Sequence, residues 1–174
     1  MDYVPPIDVP KILSGLYLGN IRDAKDADQL AANNITHILS IHDNAKKIVK
    51  DKEYLCILAS DSPYQNLIQY FPMCNDFITQ ARQDGGGVLI HCVAGVSRSA
   101  TLAAAYLMAS GGLSTKDALT LVKAARSVIR PNIGFRDQLL QFEYYSLNGE
   151  RTSEDGEKGC TASTTLPKPS AHSD

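Results

Sequence analysis

A chain of 174 residues is long enough for one domain with a sizeable core. Its formal net charge of -2 supplies no general basic field toward nucleic acid or an anionic membrane, so neither is expected as a partner. The longest strongly apolar run, Ala100 to Ala109, is too short for a membrane span and reads as a buried helix.

The chain starts Met1-Asp2-Tyr3-Val4-Pro5-Pro6, with no apolar signal core and no glycine at position 2 for N-myristoylation, so no membrane anchor is expected. Residues 1–10 read as an extended lead-in. Ile12 to Leu18 suits a strand or hairpin turning at Gly15. Asp23 to Asn33 suits a helix with Ala24, Ala27, Leu30 and Ala31 on one face. Ile35 to Ile41 and Tyr54 to Leu58 read as strands, and Ala59 to Asn66 as a polar loop. A helix follows to about Arg82, either started or kinked by Pro72. Gly85-Gly86-Gly87 breaks the chain before Val88 to Cys92, an apolar strand of the buried kind.

A loop of small residues, Val93 to Ser97, leads into a helix that stops near Gly111-Gly112. Ser114 to Asp117 opens another helix with a capping-box-like start. Asn132 can cap a last helix whose apolar face carries Phe135, Leu139 and Phe142. From Gly149 onward Ser, Thr, Gly, Pro and charges dominate, so residues 149–174 read as a disordered tail behind a domain spanning 11–148. Alternating strands and helices predict an α/β fold with a mostly parallel central sheet flanked by helices, whose ligands bind beyond the carboxyl ends of the strands.

Four cysteines, Cys56, Cys74, Cys92 and Cys160, have spacings that suit neither a metal knuckle nor a disulfide framework. They read as reduced thiols of an intracellular, cytoplasmic protein, with a nuclear location also open. One of them stands apart. In His91-Cys92-Val93-Ala94-Gly95-Val96-Ser97-Arg98-Ser99 the thiol lies where a buried strand ends and a small-residue loop begins. Such a loop can turn several backbone N–H groups inward, and the following helix adds its positive end, making a cradle for a phosphate dianion. Gly95 permits the backbone conformation the turn demands. Arg98 can hold two phosphate oxygens with its planar fork. The same donors favour the Cys92 thiolate, the nucleophilic form. Ser99 can hydrogen-bond the departing sulfur, and His91 can brace the loop. Asp61, in the loop after a predicted strand, is a candidate proton donor to a leaving oxygen. Spacing alone favours a turn or cap aspartate before Ser-Pro.

HCVAGVSRSAT resembles the signature of the protein tyrosine phosphatase superfamily: Cys, five residues, Arg, then Ser or Thr. GLYLGN, THILSIHDNA, YLCILASDSPYQN and PNIGF extend the likeness over residues 11 to 145, toward the atypical dual-specificity phosphatases and their small JNK-pathway subgroup. The resemblance implies a phosphatase-like fold and a metal-free, cofactor-free attack by Cys92. It also implies phosphate binding by the main chain from Val93 through Ala94, Gly95, Val96 and Ser97 to Arg98, Asp61 as general acid, and Asn132 bracing the phosphate loop. Phosphotyrosine and phosphoserine or phosphothreonine proteins are then the implied substrates, MAP-kinase pathway components among them, and the chain is expected to be a monomer. Tyr64 beside the acid loop and Pro72 depart from the pattern. Two alternatives weigh less. A phosphoinositide phosphatase would gain from a lysine between Cys92 and Arg98, and there is none. A non-catalytic phosphoprotein-binding module would lack the nucleophile, the arginine or the acid, and all three are present.

Overall fold

A computed structural model describes residues 9–155 of the chain. Strands β1 (Lys11–Leu13) and β2 (Leu16–Gly19) form the expected hairpin, and Gly15 at φ 78 makes the turn. A 3-10 turn at Asp23–Lys25 precedes helix α1 (Ala27–Ala32). Then come β3 (Ile35–His42), β4 (Glu53–Leu58), a second 3-10 turn at Ile68–Tyr70, and α2 (Phe71–Gln83). The chain continues through β5 (Gly87–His91), α3 (Arg98–Gly111), α4 (Thr115–Ala125) and α5 (Ile133–Asp155). The sheet runs in the order β1-β2-β5-β3-β4, and only the β1–β2 pair is antiparallel.

Alternation along the strands feeds two cores of unequal size. Leu16, Leu18, Leu39, Ile41, Val88 and Ile90 point to the larger, where Phe71, Ile78, Val122, Phe135 and Leu139 of α2, α4 and α5 pack. Helix α3 runs through that core with every residue from Arg98 to Met108 buried. Tyr17, Ile38 and Leu89 point the other way, against Ala24 and Leu30. The expected fold class therefore stands.

Local departures have local causes. The helix expected over Asp23 to Asn33 is split at Asp26, which leaves helical geometry (φ -83, ψ 93) and accepts a hydrogen bond from the Gln29 N–H at 3.2 Å. An aspartate is worth more as a cap than inside a helix. Pro72 starts α2 in its first turn, where no N–H is needed, and does not kink it. Gly112, at φ 64, ends α3, and Ser114 caps α4 by accepting from the Asp117 N–H. The expected start of the tail at Gly149 falls inside α5, which runs on to Asp155. Extending a formed helix is far cheaper than nucleating one, so polar residues can prolong it. The rest of the expected tail, 156–174, and lead-in residues 1–8 lie outside the described residues.

Parallel strands deliver their carboxyl ends to one edge of the sheet. There β5 releases the loop of residues 92–97, β3 ends at His42 and releases Asp43, and β4 releases the loop containing Asp61.

Candidate active site

The loop after β5 can be read by asking where its carbonyls go. His91 Nδ1 holds the Cys92 carbonyl at 2.9 Å. The Ile21 N–H donates to the Val93 carbonyl at 3.0 Å. Arg126 donates from one nitrogen to the Ala94 carbonyl (3.1 Å) and from Nε to that of Gly95 (2.8 Å). The Arg130 N–H takes the Val96 carbonyl at 2.7 Å, and Thr101 takes that of Ser97 through both its N–H and its hydroxyl. Six consecutive carbonyls are thus drawn away from the loop's centre. In a trans peptide the N–H opposes the C=O, so the amides from Val93 to Arg98 face the hollow. Gly95 closes the ring at φ 68, and a Cβ there would press on the Gly19 carbonyl and on Arg126.

The Cys92 sulfur sits at the floor of this ring, 2 % exposed. It receives the Gly95 N–H at 3.2 Å and lies 3.1 Å from the Ser99 hydroxyl. Burial pushes the thiol up. The Ser99 hydroxyl and the amides of Ser99, Gly95 and Val96 outweigh it, and the thiol lies below its ordinary value. Among the described residues Cys74 lacks such donors, and burial pushes its thiol up to about 12.

Arg98, 8 % exposed, opens α3. One terminal nitrogen donates to the Ala59 carbonyl at 2.9 Å and to Asp43 Oδ2 at 3.1 Å, while its buried Nε has no partner among the described residues. The fork is held at one end and keeps a donor for an anion.

Asp61 lies on an exposed loop after β4, and the start of α5 fastens that loop. Asn132 Nδ2 donates to Asp61 at 2.9 Å, Asn132 Oδ1 caps α5 by accepting from the Phe135 N–H at 2.9 Å, and its backbone N–H donates to Ser97 Oγ at 3.0 Å. Asn132 thus reaches the Cys92–Ser97 loop through its main chain and the Asp61 loop through its side chain. Gly134 packs so tightly on Pro63 that any Cβ would collide with the backbone. Gln138 accepts from the N–H groups of Leu67 (2.6 Å) and Ile68 (3.0 Å) and donates to the Gln65 carbonyl (2.8 Å).

The sequence pattern of the dual specificity phosphatase catalytic domain matches residues 16–145. The chain belongs to the dual specificity phosphatases. This phosphatase is 55% identical over 135 residues to dual specificity protein phosphatase 22-B of Danio rerio, which covers 78% of the chain and 74% of that protein. It is 49% identical over 141 residues to dual specificity protein phosphatase 22 of Homo sapiens, covering 81% of the chain and 77% of that protein. The crystal structure of DUSP15 superposes with a TM-score of 0.78 at 43% identity, over 87% of this chain and 97% of that one. The phosphatase is thus an enzyme that acts on phosphorylated proteins.

Several side chains that build the phosphatase's site escaped sequence reasoning. Asp43 follows β3 in IHDNA, and only the parallel β3–β5 register brings it to Arg98. Arg126 and Gln138 had no local signal at all, since their partners are 31 residues or more away in sequence. Tyr64 stands 96% exposed in the loop that carries Asp61. A groove of about 410 Å³ lined by Met108, Leu113, Glu143 and Leu147 lies far from Cys92 and holds no comparable set of reactive groups. Among the described residues no three His, Cys, Asp or Glu side chains converge to hold a metal, and no helix is long and apolar enough to cross a membrane.

Proposed function

We propose that the phosphatase works in two steps through Cys92, Arg98 and Asp61. In the first, the Cys92 thiolate attacks phosphorus and an S–P bond forms as the P–O bond to the side chain breaks. Asp61 delivers its proton to the leaving oxygen. The inward amides of Val93 to Arg98 and the Arg98 guanidinium hold the charge on the equatorial oxygens. In the second step the Asp61 carboxylate takes a proton from water, which attacks phosphorus and expels the sulfur. Ser99 steadies that sulfur by its hydroxyl contact. No step requires a metal, because the cradle supplies the positive charge.

The observation that carries this reading is the outward anchoring of the six loop carbonyls around a buried, easily ionised thiol. Phosphotyrosine and phosphoserine or phosphothreonine proteins are the substrates, MAP-kinase pathway components among them, met in the cytoplasm by a monomer. A binding-only role is worth weighing, because the fold is shared with a human tyrosine phosphatase-like serine/threonine/tyrosine-interacting protein (TM-score 0.77, 36% identity). Cys92, Arg98 and Asp61 together argue for turnover here. The deciding experiment follows phosphopeptide hydrolysis in chelator by the wild type, Cys92→Ser and Asp61→Ala. Intact-mass measurement looks for a phosphorylated Cys92 adduct. Equal rates in all three proteins would end this mechanism.

A further inference from the structure

Beneath the phosphate loop, on the face of the sheet that carries the smaller core, three polar side chains are buried together. Ser40 and His91 are paired in register across β3 and β5, and His42 follows Ser40 by two residues on the same face. Their exposures are 0%, 0% and 5% for Ser40, His91 and His42. Ser40 Oγ, His42 Nε2 and His91 Nε2 each lack a hydrogen-bond partner among the described residues. Three orphaned polar atoms in one spot are uncommon in a folded protein, where such groups are paired with protein or with ordered water.

The tautomers follow from what the other ring nitrogens touch. His91 Nδ1 contacts the Cys92 carbonyl, which can only accept, so Nδ1 carries the proton. In the neutral ring His91 Nε2 is then an acceptor. His42 Nδ1 receives the Asn44 N–H at 3.2 Å, so it is the bare nitrogen and His42 Nε2 carries the proton. Both rings favour their neutral forms. Burial lowers His42, helped by the nearby Arg98 charge and Lys46 and opposed by Asp43. Burial also lowers His91, although its bond to the Cys92 carbonyl opposes this. One ring thus offers a donor, the other an acceptor, and Ser40 a hydroxyl. The ring centroids are 5.8 Å apart, and no hydrogen bond joins the two rings directly.

We propose that Ser40, His42 and His91 enclose one buried water, and that His42 is a positioning residue which donates through this water to the ring that holds the Cys92 carbonyl. The water accepts from His42 Nε2–H and donates to His91 Nε2 and Ser40 Oγ, three bonds, the usual complement of a buried water. His42 is followed by Asp43, which pairs with Arg98, so one short segment links the arginine to the main chain of the nucleophile. A fixed His91 tautomer keeps the first peptide of the phosphate loop turned outward. The catalytic consequence rests on Cys92 being the nucleophile; the hydrogen-bond chain does not.

The test is a long-range proton–nitrogen imidazole correlation spectrum of the full chain, labelled at its four histidines and assigned by single substitutions. It should show His91 protonated at Nδ1, His42 protonated at Nε2, and a cross-peak between the His42 Nε2 proton and bound water. Either ring in the opposite tautomer, or a His42 proton with no contact to water, overturns the inference. In parallel, His42→Phe should lower kcat about five- to tenfold with KM for a small aryl phosphate unchanged, about the worth of one buried hydrogen bond. His42→Gln, which keeps a donor, should recover most of it. Equal loss in both variants, or a change confined to KM, counts against the positioning role. If His42→Phe does not fold, the wild-type spectrum still decides. The expected tautomers alongside an active Cys92→Ser would instead overturn the mechanism and leave the buried link standing.

Discussion

Two loops meet at the carboxyl edge of the sheet, and they are built on opposite plans. The one from Cys92 to Ser97 has all six of its carbonyls tied from outside, sits on a buried sulfur, and is backed by a helix buried from Arg98 to Met108. The one from Ala59 to Asn66 carries an exposed Asp61 and hangs mainly from Asn132, Gly134 and Gln138 at the start of α5. Rigidity suits the first, because preformed amides stabilise developing charge without reorganising. Under the proposed mechanism, lighter tethering suits the second, because its acid has to reach leaving groups of different depth and later turn to water. Arg98 joins the two, since the guanidinium at the rim of one loop donates to the Ala59 carbonyl at the root of the other.

This contrast can be broken or sharpened by substitution. The largest effect belongs to Cys92→Ser, which should abolish turnover while phosphopeptide binding persists in calorimetry, since the cradle is main chain. Next, Asp61→Ala should slow phosphoserine hydrolysis by about two to four powers of ten, the range of acid–base assistance. The loss should shrink for an aryl phosphate whose leaving group needs no proton. Arg98→Lys should cost roughly two to three powers of ten in kcat, because a point charge cannot reproduce the fork that spans both loops. Unchanged kcat would remove the proposed charge stabilisation.

Smaller effects probe the supports. Ser99→Ala removes a donor to the sulfur and should raise the Cys92 thiol toward its ordinary value. The nucleophile must be unprotonated, so the rising limb of kcat/KM against pH should move to higher pH. Alkylation rates should move with it. A limb that stays in place would show that the loop amides alone set the ionisation. Gln138→Ala leaves the N–H groups of Leu67 and Ile68 without their acceptor, and should cost about 1–3 kcal/mol in denaturant unfolding. The alkylation rate of Cys92 should hardly change, because only the acid loop is loosened.

The reach of sequence reading follows the same division. The phosphate loop was legible because strand end, turn glycine, arginine and helix start are consecutive from Val88 to Arg98. The capping roles of Ser114 and Asn132 were legible for the same reason, each acting within three residues. Asp61 was legible as a loop residue after a strand, but its neighbours alone favoured a turn aspartate. Its contact with Asn132 spans 71 residues of sequence, which no local reading supplies. Asp26 shows the reverse error: a short apolar period suggested one continuous helix, and a local cap divided it.

The sequence by itself determined the chemistry on offer, a thiol in an amide nest with an arginine six positions on, because short-range geometry is written in consecutive residues. Only the tertiary structure decided which distant groups hold that chemistry in place. Asp43 on Arg98, Arg126 on the loop carbonyls, Gln138 on the acid loop and His42 near His91 are all partnerships across gaps in the chain. Such pairings depend on strand order and helix packing, which no local window of residues contains.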